Sequence, residues 1–176
     1  MVGMEGNDTD EAFTAFVAAH SPSLRRTAYL LTGSTGAAED LLQDALVRTW
    51  LGWQRVVPAT AAAYTRRVIV NLATDRWRRR RYRTVTLDGG ERWADPAAER
   101  AFGAVDDQTF IVEQLAALSP RERAIIVLRY YHDLAEDDVA ETVGCSVGTV
   151  KSTCSRALAR LRTRAEAAQL TRRNLR

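Results

Sequence analysis

A chain of 176 residues with 46% apolar side chains can hold one ordinary domain or two small ones, and it is too apolar for general disorder. No apolar run is long enough to cross a bilayer, no signal-peptide pattern is present, and Cys145 and Cys154 make no disulfide framework. A cytoplasmic protein without membrane insertion is therefore expected. The net charge is only +3, yet the charges are segregated, with arginine supplying nearly all of the positive ones and Lys151 the single lysine. Such patches on a modest total suggest one surface for nucleic acid and others for different partners.

The pattern is helical throughout, with no convincing alternating strand. Residues 1–10 are expected to be disordered. Phe13, Phe16 and Val17 begin an amphipathic helix, and Ser21-Pro22 reads as an N-cap and first helical position opening a further helix through Leu24, Ala28 and Leu31. Gly33 and Gly36 punctuate a turn. From Ala37 a strong stripe follows (Leu42, Ala45, Leu46, Thr49, Trp50, Trp53), with Glu39, Asp40, Gln43, Asp44 and Arg48 largely off it. Pro58 ends that run, and Ala61, Tyr64, Val68 and Leu72 form the next stripe. It leads into a basic segment with arginine at positions 66, 67, 76, 78, 79, 80, 81 and 83, against one acid, Asp75.

Between 84 and 105 the periodicity fails and Gly89-Gly90, Asp95-Pro96 and Gly103 sit among charges, the composition of a flexible linker. A second helical unit covers 106–165. Ser119-Pro120-Arg121-Glu122 is a capping box with proline at the first helical position, and Ala124, Ile125, Leu128 and Tyr131 give its helix a buried face. After a turn near His132-Asp133, residues Leu134–Arg162 read as a helix-turn-helix. Ala140 is small where two helices cross, Gly144 supplies a left-handed turn, and Val150 seats the second helix on the first. Val147, Val150, Cys154, Ala157, Leu158 and Leu161 trace the inner face. The tail, 166–176, is basic, and its last residues, Gln169–Arg176, are expected to fray. The expected fold class is all-α: two small helical domains joined by a flexible linker, the C-terminal one a four-helix, winged-helix-like helix-turn-helix domain.

Three segments in order carry a resemblance. Arg25–Trp50 (RRTAYLLTGSTGAAEDLLQDALVRTW), Ala61–Arg80 (AAAYTRRVIVNLATDRWRRR) and Leu118–Leu158 resemble the polymerase-binding, −10 and −35 regions of the extracytoplasmic-function sigma factors, closest to actinobacterial members of the sigma-E-like group. The resemblance spans roughly Glu11–Arg164. It implies a region 2 domain at 11–83, a linker at 84–105 and a region 4 domain at 106–165. The function implied is promoter-specific initiation with core RNA polymerase, without catalysis, cofactor or metal. Implied partners are the clamp helices of the polymerase's largest subunit, promoter DNA and an anti-sigma factor.

Read alone, the polar face of 37–50 is a solvated helix surface. The resemblance turns it into a polymerase contact through Asp40, Gln43 and Asp44, with Leu41 and Val47 adding apolar area. Arg66, Arg67, Arg76, Arg78, Arg79 and Arg80 suit phosphates of opened DNA, and Trp77 either stacks on an unstacked base or packs in the core. Asn71 matches a family position lining a pocket for a flipped −10 base. Asp75 stands where the family commonly has Asn, and an acid there repels phosphate. On the second helix-turn-helix helix, Thr149, Lys151, Ser152, Thr153, Ser155 and Arg156 are left to meet the major groove. Family members often carry Arg at the position of Thr153 and a larger residue near Ser155, so the −35 sequence read is expected to differ. Ala135 replaces the usual Ser N-cap, a loss of about 1 kcal/mol unless Asp133 compensates. Cys145 and Cys154 read as small core residues rather than a metal or redox pair, and His20 and His132 are isolated from them. A polymerase-independent helix-turn-helix regulator is the rival reading, and an adaptor or anti-sigma protein a weaker third.

Overall fold

A computed structural model describes the backbone of residues 4–84 and 106–174 and the side chains of 8–79 and 110–166. The linker of the sequence reading, apart from residue 84, lies outside the described residues. Helix α1 spans Met4–Thr32, α2 Thr35–Leu51 and α3 Ala61–Thr84, with single 3₁₀ turns at Trp53–Arg55 and Pro58–Thr60. The C-terminal unit holds α4 (Asp106–Ala116), α5 (Pro120–Ile126, running on as a π-helical turn Val127–Tyr131), α6 (Glu136–Val143) and α7 (Val147–Asn174). Among the described residues there is no strand, and no helix is long and apolar enough to cross a membrane.

Local chemistry sets most of these ends. Gly33, at φ 72°, closes α1, and the Ser34 hydroxyl accepts from the Ala37 N–H to open α2. Ser119 and Glu122 form the reciprocal capping box of α5. Three expectations are corrected. Ser21-Pro22 starts no new helix: Pro22 sits inside a continuous α1, where it removes one backbone bond and crowds the carbonyl four residues earlier. Residues 4–10, expected to lack order, form the start of α1, and 169–174, expected to fray, continue α7.

Leu24, Ala28 and Leu31 of α1, Leu41, Leu42 and Ala45 of α2, and Ala61, Ile69 and Val70 of α3 pack into the first core. The inner stripe of α3 is Ala61, Thr65, Ile69 and Leu72, a rotation from the expected one that leaves Tyr64 exposed. Truncating a core leucine here to alanine costs about 2–5 kcal/mol. Two buried hydroxyls, Thr49 on α2 and Thr65 on α3, lie 3.0 Å apart where their helices cross, so one donates to the other, which in turn donates to the carbonyl one turn back on its own helix, Ala45 or Ala61. Phe13, Phe16, Trp50 and Trp53 close one end of this bundle, ring centroids 4.9–5.9 Å apart.

In the C-terminal unit Val112, Leu115, Ile125, Leu128, Val139, Val150 and Ala157 form the core. Tyr131, expected on the buried face of α5, is exposed, because the π-helical turn rotates it outward. The two units touch: α1 meets α5 and its π-helical turn, and α3 meets α5 and α6.

Candidate nucleic-acid interface

The helix-turn-helix is built as its residue types require. Gly144 adopts φ 66°, its N–H reaches back to the Ala140 carbonyl, and the Cys145 N–H bonds the same oxygen at 3.0 Å. Ala140 and Val150 are buried at the crossing. Ala135 caps α6 with no side chain, and no bond from Asp133 replaces it. Glu136, Asp137 and Asp138 instead fill the first turn, where carboxylates favour the positive end of the helix. The Ser146 hydroxyl accepts from the Thr149 N–H, fixing the entry angle of α7.

Along α7, Thr149, Ser152 and Arg156 recur at helical spacing on one exposed face, flanked by Lys151 and Ser155. Arg156 bonds the Ser152 carbonyl, and Lys151 lies 3.5 Å from Glu136. Thr153 is a correction. It is only 6% exposed, because it continues the inward stripe Val150, Thr153, Ala157 and so cannot reach a groove.

A second basic surface lies on α3. Arg67, Asn71 and Arg78 share one face, with Asn71 exposed. Trp77 extends the line of Val70 and Ala73 beyond the bundle and is 39% exposed, so it is neither a core residue nor fully free of the helix surface. Arg78 pairs with Asp75 at 3.2 Å, so the acid that departs from the family pattern holds a local arginine. Arg76 donates to Asp44 at 2.6 Å, and Arg79 is exposed. Arg80 lies on α3, but its side chain is outside the described residues. Arg66 and Arg67, expected on the same DNA face, turn instead toward the C-terminal unit. Arg67 donates to Glu141 of α6 at 2.7 Å. Arg66 lines a cleft of about 390 Å³ with Tyr64, Leu128, Asp138 and Glu141, its buried Nε without an acceptor and its pKa lowered by burial.

On α2, Asp40, Gln43, Asp44 and Val47 form an exposed stripe, Val47 being 57% exposed. Leu41 is corrected: at 0% exposure it belongs to the core, one residue off the outward face. Leu51, one helical turn beyond Val47, is the exposed aliphatic residue beside it, at 80% exposure.

The contact that sequence reasoning missed altogether is Arg123. Its guanidinium is buried and donates to the Leu115 carbonyl at 2.9 Å, Leu118 at 3.1 Å and Leu31 of α1 at 2.8 Å. Burial pulls its pKa down to about 9, and three carbonyl acceptors favour the cation, so it stays charged at neutral pH. An arginine amid polar Pro120–Glu122 carried no sign of this beyond its place one turn from Ala124. Nearby, burial alone would raise the Glu122 pKa, but bonds from Arg160 and Ser119 outweigh it and pull it down. Across the same seam the Thr27 hydroxyl lies 2.9 Å from His132 Nε2, and Arg26 sits over the Tyr131 ring at 5.8 Å. Burial first, and then Arg66, lower the His132 pKa to about 4. Cys154 is buried with its thiol pKa raised, while Cys145 is half-buried.

Two family models match the chain in order: Sigma-70 region 2 over residues 16–83 and Sigma-70, region 4 over 111–161. The RNA polymerase sigma-E factor of Streptomyces avermitilis is 36% identical over 164 residues, 93% of this chain and 90% of that protein. The ECF RNA polymerase sigma factor SigL of Mycobacterium tuberculosis is 32% identical over 148 residues, covering 81% and 82%. Among solved structures, the sigma factor RpoE in complex with the anti-sigma factor NepR from Bartonella quintana superposes with a TM-score of 0.69 and 29% identity over 86% of this chain and 94% of that one. CnrH in complex with the cytosolic domain of CnrY shares the fold, at a TM-score of 0.65, 23% identity and 90% of each chain.

Proposed function

The chain belongs to the extracytoplasmic-function group of sigma-70 factors, and on that footing we propose how its two basic helices divide the reading of a promoter. It binds core RNA polymerase and directs promoter-specific transcription initiation. The N-terminal domain docks on the clamp helices through Asp40, Gln43, Asp44, Val47 and Leu51. Acids and an amide on a rigid helix suit an arginine-rich partner, and the flanking aliphatic residues add dry area.

Opened −10 DNA is held on α3. Arg76, Arg78, Arg79 and Arg80 neutralise phosphates, Trp77 offers a stacking face, and Asn71 reads the edge of an extruded base. Arg66 and Arg67, turned toward α6, stand outside that set. The −35 duplex is read by α7 in the major groove through Thr149, Lys151, Ser152, Ser155 and Arg156. With no arginine at Thr153 and small side chains at Ser152 and Ser155, Arg156 is the one guanidinium on this face, and the hydroxyls beside it discriminate bases less sharply than a bidentate arginine. The chain itself performs no catalysis and works in the cytoplasm beside the polymerase. An anti-sigma factor is a further partner, supported by the complexes in which its structural neighbours are found.

The observation that carries this reading is the ordered pair of region 2 and region 4 matches, each containing an exposed basic helix face. A regulator independent of polymerase has no use for the first of these. Run-off transcription with purified core polymerase, with and without the chain, tests it. Initiation from a discrete set of genomic promoters only when the chain is added is expected. No initiation, together with tight operator binding by the free chain, would overturn it.

A further inference from the structure

Lys151, one of the residues offered to the −35 duplex, is held from outside its own helix. Its Nζ lies 3.5 Å from a carboxylate oxygen of Glu136, the first residue of α6, with the lysine side chain 65% exposed and the glutamate 35%. Its neighbours bond back onto α7 or the turn before it. Thr149 shares a hydrogen bond with the Ser146 hydroxyl, Ser152 donates to the Thr149 carbonyl, and Arg156 donates to the Ser152 carbonyl. We propose that Glu136 is a specificity-determining residue of −35 reading, a positioning residue that keeps Lys151 on base edges and off phosphates. This rests on the promoter reading above.

The need for such a residue arises from the side-chain type. Lys151 is the single lysine of an arginine-rich chain. A guanidinium is a planar fork already shaped for a guanine edge, whereas an ammonium is a compact charge on a flexible stem with rotatable donors. Beside a duplex, an unrestrained ammonium settles on phosphate, a contact that carries no sequence information. A carboxylate fixed at its side orients Nζ and repels phosphate from that position. The donors pointing away from Glu136 are then left for guanine O6 and N7.

Glu136 is itself anchored. Arg129, on the π-helical turn, donates to the Leu134 carbonyl and so pins the segment that enters α6. The carboxylate stands in the first turn of α6, where the positive helix end favours it. On the flank of α7 the Tyr130 hydroxyl is hydrogen-bonded to the Cys154 thiol, and the charges of Arg129 and Glu136 act on that thiol in opposite directions. One cluster thus joins the π-helical turn, α6 and α7 at the edge of the reading face. An exposed ion pair adds little to folding stability, so the effect of this one falls on DNA binding.

The test uses the full chain assembled with core polymerase. Fluorescence anisotropy measures binding to a promoter from which the chain initiates, and to the same promoter with its −35 element scrambled, across a range of salt. In Glu136→Gln, Lys151 is released to phosphate, so binding to the scrambled duplex should tighten. The preference for the intact −35 element should fall by about 5-fold or more. One added phosphate contact steepens the salt slope by about 0.9, an extra loss of roughly 3–4-fold in affinity between about 50 and 200 mM salt. Glu136→Asp, which keeps the charge, should restore both the slope and the preference. In a Lys151→Met chain, Glu136→Gln should alter neither. A merely structural role would instead weaken binding to both duplexes whether or not Lys151 is present, and that result would overturn the inference. An intact preference and slope in Glu136→Gln would overturn it alone. A natural chain whose binding ignores the −35 sequence would overturn the promoter reading and this inference with it.

Discussion

Replacing Arg123 by methionine keeps most of the stem's volume and removes every donor. Three carbonyl oxygens, those of Leu115, Leu118 and Leu31, then lose their bonds to a buried cation. Each hydrogen bond from a charged group contributes about 1.5–3 kcal/mol, and each stranded acceptor costs about 1–3 kcal/mol. Against this, the variant escapes the cost of desolvating a guanidinium, which is several kcal/mol. The balance is a loss of about 3–5 kcal/mol, a large part of the stability of a domain this small. At about 4–8 °C per kcal/mol for a domain of this size, the melting temperature should fall by roughly 12–40 °C. Urea unfolding followed by circular dichroism measures the loss directly. Arg123→Lys should recover part of it, since an ammonium reaches one or two of the three oxygens. A loss below about 1 kcal/mol for Arg123→Met would refute the assignment of this arginine as the knot of the α4–α5 turn and its tie to α1.

Other outcomes follow from the same geometry. His132 has its pKa lowered to about 4 in the folded chain, against an ordinary value of 6.5. The unfolded chain therefore binds the extra proton first. Its contribution is complete above about pH 6.5 and is lost as pH falls toward 4, an effect of about 1–2 kcal/mol after allowing for partial exposure; urea midpoints at pH 7.5 and 5 should differ, and His132→Gln should flatten the difference. Gly144→Ala meets no atom within 4 Å, so only the left-handed backbone at φ 66° resists it. The cost should be about 1 kcal/mol by urea unfolding, largely recovered by Asn. Reversing charge at Asp40 and Asp44 together should weaken core polymerase binding by about 10–100-fold while leaving the circular dichroism spectrum unchanged; undiminished co-purification would sink that face. Asn71→Ala should lose about 1–3 kcal/mol of base discrimination at one −10 position, read as a changed promoter profile in run-off assays.

Sequence periodicity was enough to find the helices, the helix-turn-helix and the polar face of α2, because these depend on local chemistry: a capping box, a left-handed glycine, an apolar stripe. It failed where one residue of rotation decides the matter. Leu41 and Thr153 each lie beside an outward residue and yet face inward; the family resemblance put Leu41 at the edge of the polymerase contact, and residue type put Thr153 in the groove. Pro22 misled because proline at a first helical position and proline inside a long helix look alike until packing on both sides is known. Arg123 and the pairing of Arg67 with Glu141 were illegible for a different reason. Both join positions far apart in the chain, 92 and 74 residues respectively, and no periodicity encodes such a meeting.

The hydroxyl pair of Thr49 and Thr65 has a mechanical consequence. Two β-branched side chains, stiff at χ1 and meeting at 3.0 Å in the core, tie α2 to α3 at their crossing and oppose any slide or roll of one helix past the other. On the promoter reading proposed above, the α2 stripe and the α3 face then tilt together, so a change of angle at one is carried to Asn71 and its neighbouring arginines on the other.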